Sequence, residues 1–425
     1  MMNRRHLLES SLAASVLGAV APAIAARRRP RILLRSSWQT INIGDIAHSP
    51  GVLAILEKYL PEAEVLLWAS DVGNGVREML LRRFPNLQVL TAGGTRATRN
   101  QEADVHAMFD SIDLFLHGSG PWLVAARHVE QWIEKTGKPF GVYGISLPGS
   151  HADVRILGLL GQAKFVFFRD SVSLELAKEK AVSAPVMEFG PDGAFGFDIR
   201  NDRAASAFLQ KNHLEPGRFL CVIPRYRKTP EWELPGRERP EEEWRHLHER
   251  NQAMAEHDLQ PYREAIIAVA RESQMKVLVC PEDRTQIALG KTFLYDPLPE
   301  DVKGRVVWRD RFWLTDEALS TFVRSAGLFG LEQHSPIMCI GNGVPSLLGR
   351  FREQTSKGFI WKDIGLGEWF FDSDSRFDMA QLKPRVLELA QNPCEAKEKA
   401  LAAKAFVDRR TRQTMGVLKK ELGQC

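Results

Sequence analysis

The sequence predicts an α/β protein built of two doubly wound domains that face each other across a cleft. Two observations carry this. From Arg31 onward, short apolar runs alternate with amphipathic stretches, which is how parallel strands joined by crossover helices read. The alternation runs to about residue 205 and restarts at Phe219-Leu220-Cys221-Val222-Ile223, and a chain of 425 residues is long enough for two cores, each with its own sheet.

In the first domain, 31–205, apolar runs at 32–34, 65–68, 87–90, 114–117, 140–145 and 165–168 read as strands. Amphipathic segments near 50–60, 75–84, 101–109, 122–136, 152–161 and 171–181 read as the helices between them. The second domain, 206–390, takes its strands from 219–223, 276–280, 306–308, 328–329 and 345–348. Between its first strand and first helix lies a polar stretch, 224–258, that holds Pro224, Pro230, Pro235, Pro240 and many charges; it is expected as a long loop, functional or disordered. Residues 393–425, rich in Ala, Lys and Glu, are expected as a C-terminal helix returning across the first domain. Two such Rossmann-like units bind ligands outside the carboxyl ends of their strands, which places the chemistry in the cleft between them.

Composition narrows the function classes. With 44% hydrophobic and 26% charged residues the chain is an ordinary globular one, neither disordered nor a multi-span membrane protein. A net charge of +4 is too small to argue for nucleic acid. Cys221, Cys280, Cys339, Cys394 and Cys425 are odd in number and lack a C-x-x-C pair, which gives neither a disulfide framework nor a zinc site. No G-x-G-x-x-G follows the first strand of either domain, which argues against a nicotinamide cofactor. Ahead of the first domain, Arg4-Arg5, an Ala-rich apolar stretch at 12–24 and the small-x-small triplet Ala23-Ile24-Ala25 read as an export signal of the twin-arginine type, cleaved after Ala25. The apolar run is too short to span a bilayer. A periplasmic or cell-envelope protein without an integral span after cleavage is therefore expected.

Four segments are expected at the cleft. Asn42-Ile43-Gly44-Asp45 follows the first strand and opens a helix, where free N–H groups attract anions; a plain N-capped turn reads the same. His117-Gly118-Ser119-Gly120 ends an apolar strand, where His117 can face a ligand that the glycines let the backbone approach, or the segment is a simple strand-to-helix turn. Arg169 ends another strand and points to the cleft, or pairs with Asp170 at the surface. Glu332-Gln333-His334-Ser335-Pro336 puts His334 before a helix with Ser335 as N-cap and Pro336 as its first residue, so that the imidazole can act as a general acid, with Glu332 beside it. Downstream, Arg350, Arg352, Thr355 and Lys357 suit a phosphate or carboxylate, and Arg225 after strand 219–223 adds to that charge. His246, His248 and His257 read as solvated loop residues.

Taken in order, Asn42-x-Gly44-Asp45, Arg169-Asp170-Ser171-Val172-Ser173, Pro191-Asp192 with Phe195, His334-Ser335 before Gly343-Val344-Pro345, then Lys357 and Asp363-Ile364-Gly365-Leu366, the chain resembles the polysaccharide pyruvyl transferase family over roughly 40–370. The resemblance implies a glycosyltransferase-B-like (GT-B-like) fold and transfer of the enolpyruvyl unit of phosphoenolpyruvate to two hydroxyls of a saccharide acceptor, giving a cyclic ketal and phosphate. It implies His334 as the acid, Arg169 and Lys357 as clamps on the donor, no metal and no cofactor beyond the donor substrate itself. Glu332 stands where many members carry arginine; in that place Arg225, Arg350 or Arg352 is expected to serve the donor, while Glu332 holds the imidazolium or accepts a sugar proton. Two other readings stay open: a glycosyltransferase of the same architecture, and an exported saccharide-binding protein without catalysis.

Overall fold

A computed structural model describes residues 28–91, 105–234 and 237–423. The export signal, part of the 101–109 segment, Pro235 and Cys425 lie outside them.

The first sheet holds β1 (Arg31–Arg35), β2 (Glu64–Ala69), β3 (Gln88–Thr91), β4 (Leu114–His117), β5 (Phe140–Ile145), β6 (Val166–Phe168) and β7 (Met187–Phe189), ordered β3-β2-β1-β4-β5-β6-β7. Its paired strands all run parallel. β4, β5 and β6 are buried along their whole length, as strands covered by helices on both faces must be. β7 was not among the expected strands. Its charged Glu188 interrupts the apolar run, as an edge position tolerates.

Around this sheet lie α1 (Ile43–Tyr59), α2 (Val76–Arg83), α3 (Ala126–Thr136), α4 (Val154–Gln162) and α5 (Ser171–Glu179), and α6 (Asp202–Lys211) leads into the second domain. That domain repeats the plan with β8 (Phe219–Ile223), β9 (Lys276–Val279), β10 (Val306–Trp308), β11 (Gly327–Gly330), β12 (Ser346–Arg350) and β13 (Phe370–Asp372), in parallel order β10-β9-β8-β11-β12-β13. β13, a three-residue edge strand, also escapes the sequence reading.

The stretch expected as a loop over 224–258 is a loop only to Pro240. From there α7 (Glu241–Glu272) runs for 32 residues. Pro240 sits at the N-cap position and Glu241, Glu242 and Glu243 fill the first turn, where negative charge favours a helix start. The charges form a solvated helix face, while Ala255, Leu259, Tyr262, Ile266 and Val269 recur at helical spacing on a buried one. His246, His248 and His257 are accordingly helical, not loop, residues.

One apolar core runs through both domains, and a second lies within the first domain alone. The domains meet where α1, the turn Gly193–Gly196 and α9 (His334–Gly341) come together. Here glycine is a steric requirement. A Cβ on Gly51 would stand 2.0 Å from the carbonyl oxygen of Gly193, and one on Gly341 2.2 Å from that of Phe195. α8 (Thr315–Phe322) adds a hydrogen bond from Thr315 Oγ1 to the Ile43 carbonyl, 2.9 Å. After α10 (Arg376–Gln391), the last helix α11 (Pro393–Gly423) leaves the second domain and returns to the first, where Phe406 meets Phe189 and Arg410 Nε donates to the Phe189 carbonyl at 2.7 Å.

Because the Gly51 contact is with backbone that cannot step aside, Gly51→Ala is expected to cost about 1–3 kcal/mol of stability. Chemical denaturation would show the lowered midpoint; an unchanged midpoint would mean that the helix–turn contact yields freely.

Candidate active site

In a doubly wound sheet the strand order reverses at one place, and the loops there diverge to leave a crevice. The reversals fall between β1 and β4 and between β8 and β11. The loops after β1, β8 and β11, with those after β6, β9 and β12, line one cavity of about 440 Å³.

His334 is central to its floor. It is the first residue of α9 rather than a residue before it, and Ser335 does not cap the helix. The carboxylate of Glu282, after β9, takes that part: its Oε2 accepts from the Ser335 N–H at 2.8 Å and from Ser335 Oγ at 2.6 Å, and its Oε1 lies 3.3 Å from His334 Nδ1. Nδ1 therefore carries the proton toward Glu282, and Nε2 is free to accept from Lys357 Nζ at 2.6 Å. Glu282 rather than Glu332 holds the imidazole.

Glu332 holds Arg225 instead. Both its oxygens accept from the Arg225 guanidinium at 2.7 Å, and Gln286 Nε2 donates to Oε1 at 2.5 Å. The acidic position that Glu332 occupies is thus covered by a cation from the neighbouring strand end. Arg225 lines the cavity; Arg350 and Arg352 do not. Arg350 binds the carbonyls of Gln354 and Thr355, closing its own loop, and Arg352 is exposed, with only its backbone N–H tied to Asp374.

Arg169 is buried and pairs with Asp192 at 2.6 Å, its Nε donating to Ser146 Oγ at 3.0 Å. Asp170 instead caps α5, accepting from the Ser173 N–H. The loops bearing Arg169 and Lys357 are tied across the domains, the Ser171 N–H donating to Asp363 at 2.9 Å and Ser173 Oγ lying 3.1 Å from Ser356 Oγ.

Two of the expected cleft segments serve differently. Asn42 Oδ1 accepts from the Gly44 and Asp45 N–H groups at 2.7 and 3.0 Å, so the donors expected to attract an anion are already satisfied. Gly44 is needed for closeness: its Cβ would lie 2.3 Å from His334 Cβ. Asn42 and Asp45 line the cavity, whereas His117, Gly118 and Gly120 do not. His117 is fully buried, accepts from the Ala125 N–H at 3.3 Å and is pushed by burial down to about 4. Gly118 and Gly120 extend the sheet beneath the cleft, where a Cβ on Gly118 would meet Ser36 Oγ at 2.1 Å. Between them Ser119 Oγ reaches His48 Nδ1 at 2.6 Å.

His48, Glu282, Asp283 and Gln286 were not singled out in the sequence. The acidic pair Glu282-Asp283 directly behind a strand end was the available signal; His48, inside a helix, gave only its three-residue spacing from Asp45. Asp45, His48 and His334 bring one oxygen and two nitrogens within 4.8 Å of one another, a set able to hold a cation. Lys357 already donates to that cluster through His334 Nε2.

Burial governs the charge states. It drives His334 well below its ordinary value, helped by Lys357, and brings Lys357 down to about 7, helped by Arg169. It pushes Glu332 up to about 7 in spite of Arg225, Asp283 up to about 7 beside Glu332, and raises Glu282. Burial would raise Asp192 too, but His48 and Arg169 outweigh it and hold that carboxyl well below the usual range. Near neutral pH the floor is poised, with protons shared among groups that ordinarily ionise several units apart.

A sequence model of the polysaccharide pyruvyl transferase family matches residues 42–348. Among solved structures, the chain is similar in fold to a UDP-GlcNAc 2-epimerase from Neisseria meningitidis bound to UDP-GlcNAc, at 9% identity and a TM-score of 0.55, over 92% of this chain and 100% of that one. It is similar to a UDP-GlcNAc 2-epimerase from Methanocaldococcus jannaschii at 12% identity and a TM-score of 0.55, over 87% and 98%. A third likeness is to the Anabaena protein HepE in complex with UDP and glucose, at 11% identity and a TM-score of 0.54, over 93% and 100%. These place the two-domain architecture in the GT-B fold. No curated protein matches the chain.

Removing the Glu282 carboxylate leaves the Ser335 N–H and hydroxyl without their acceptor in a dry site, so Glu282→Ala is expected to cost roughly 1–3 kcal/mol, and Glu282→Gln, which retains an acceptor oxygen, less. Equal midpoints for both variants and the parent in urea unfolding would contradict this role.

Proposed function

We propose how this chain, which belongs to the polysaccharide pyruvyl transferase family and is a transferase, divides the reaction among its residues. The observation that carries the reading is the meeting of His334 and Lys357 at 2.6 Å on a cavity floor also lined by Arg169 and Arg225. Phosphoenolpyruvate brings a phosphate and a carboxylate, and Arg169, Arg225 and Lys357 supply three cations for them. Before the donor arrives, neighbouring cations and burial keep His334 neutral. The donor's negative charge reverses that field and favours the imidazolium, His334 Nε2 taking its proton from water as the donor binds while Lys357 stays protonated as a clamp.

His334 then protonates the methylene carbon of the donor, leaving a cation at the adjacent carbon that an acceptor hydroxyl attacks. The hydroxyl proton passes to Asp45, whose Oδ1 lies 3.9 Å from His334 Nε2. Departure of phosphate restores a cation at that carbon; the second hydroxyl attacks it, its proton leaves with the departing phosphate, and the ketal is closed. Glu332 acts as a positioning residue through Arg225. No metal takes part, and the acceptor is a saccharide of the cell envelope or an exopolysaccharide. Residues 1–25 direct export by the twin-arginine route, which carries folded proteins.

His334→Ala is expected to lower kcat about 10²–10⁴-fold while leaving donor affinity largely intact. Lys357→Ala is expected to abolish calorimetric binding of phosphoenolpyruvate. If neither variant differs from the parent, the floor is not the donor site; if a UDP-sugar binds and phosphoenolpyruvate does not, the glycosyltransferase reading replaces this one. Lys357 must be protonated to hold the donor, so kcat/KM for phosphoenolpyruvate is expected to be full below about pH 7 and to fall as pH rises through the lowered Lys357 value, with Lys357→Arg moving that fall to higher pH. A flat profile from about pH 6 to 9 would count against it. Replacing Arg4 and Arg5 together with lysine is expected to keep the chain in the cytosol; full-length, cytosolic parent protein in the same fractionation would overturn the export proposal.

A further inference from the structure

The cavity floor is charged, but its wall is aromatic. Trp122 of the first domain and Trp232 and Trp244 of the segment that follows β8 line the same cavity as His334 and Lys357. Trp232 and Trp244 lie parallel, 5.3 Å between centroids and 6° between planes, with the Trp244 indole N–H fixed on the Arg239 carbonyl at 3.1 Å. Trp122 is backed by His151, 4.0 Å away at 19°. Trp68, Trp132, Trp313 and Trp361 by contrast are sealed in the cores. The three cavity indoles keep part of their surface open, although each is held rigidly by a neighbour. Rigid, half-open aromatic rings supply contact area at little cost in conformational freedom.

We infer that Trp232 and Trp244, with Trp122 of the first domain, form a subsite for a pyranose ring of the acceptor saccharide, next to the unit that receives the pyruvyl group. The inference rests on the pyruvyl-transfer reading for its choice of ligand. A three-carbon phosphoester has no ring to stack and does not fill a space of about 440 Å³, a size suited to a ligand with several rings. One face of a pyranose chair presents weakly positive C–H groups, which match the negative face of an indole. Its hydroxyls at the ring edge need both donors and acceptors; Lys228 and Arg239 supply the former, Glu231 and Glu243 the latter, from the same wall. All of these wall residues except Trp122 come from the polar segment after β8 and the start of α7, so that this one segment would set acceptor choice while the floor sets donor chemistry.

The test uses the full chain and Trp232→Ala, Trp244→Ala, the double variant and the two Phe replacements. The probe is an array of oligosaccharides corresponding to repeat units of bacterial capsular and extracellular polysaccharides, followed by saturation-transfer NMR on the unit bound best. Each Ala variant is expected to weaken saccharide binding about tenfold and the Phe variants to restore most of it, with phosphoenolpyruvate affinity within about twofold of the parent and unfolding midpoints unchanged. Saccharide affinity unaltered in the double variant overturns the subsite, as does a parent chain that binds no member of the array. Tryptophan-dependent binding of UDP in place of saccharide also overturns it, making the wall a nucleobase platform. Tryptophan-dependent saccharide binding in a chain that takes no phosphoenolpyruvate leaves the subsite standing and sinks only the transfer reading.

Discussion

The carboxylate of Glu282 is the constraint on which the rest of the site depends. It is fully buried, it takes both donors of Ser335 at the start of α9, and it orients the His334 ring. Its own carbonyl oxygen accepts from the Ile43 N–H at 3.0 Å, and Asp283 pairs with Asn42 as an antiparallel bridge. A strand end of one domain is thereby sewn to the helix start of the other. Gly44 must lack a side chain for the two to come so close, which is why a glycine that reads as an anion-binding turn is in fact an interdomain fitting.

This arrangement also governs how acidic and basic side chains coexist on the cavity floor. Three carboxyls, Glu282, Asp283 and Glu332, lie buried behind Arg225, Lys357 and His334. Burial raises all three acids, Asp283 and Glu332 to about 7, and lowers Lys357 to about the same value. A dianionic ligand added in front of this set changes which groups hold the protons. In the proposed reaction it is therefore the donor's charge that sets which of these groups is protonated.

Much of the architecture was legible from apolar runs alone, because a strand buried on both faces has little choice of residue. What was missed follows the same rule in reverse: β7 and β13 are short edge strands that can carry Glu188 and Asp372, and α7 hides its buried stripe behind a charged face that reads as loop. Within the site, residues at strand ends were legible, and His334, Lys357, Arg169, Arg225 and Asp45 all reach the cavity. Side-chain partners were not. Nothing in the order of residues says that Arg169 pairs with Asp192 rather than the adjacent Asp170, or that a glutamate 52 positions before His334 holds its ring. Arg350 and Arg352 share a strand end with the cavity, yet one is spent on its own loop and the other turns to solvent.

The return of α11 to the first domain has a consequence for the order in which the molecule is made. β7 is the outer strand of the first sheet, and Phe189 is covered by Phe406 and capped by Arg410, residues that emerge from the ribosome only after the whole second domain. Until then the first sheet has an open edge able to pair with another chain. The first half is therefore made before the residues that cap its outer strand exist, and the final helix acts as a latch that closes that edge last.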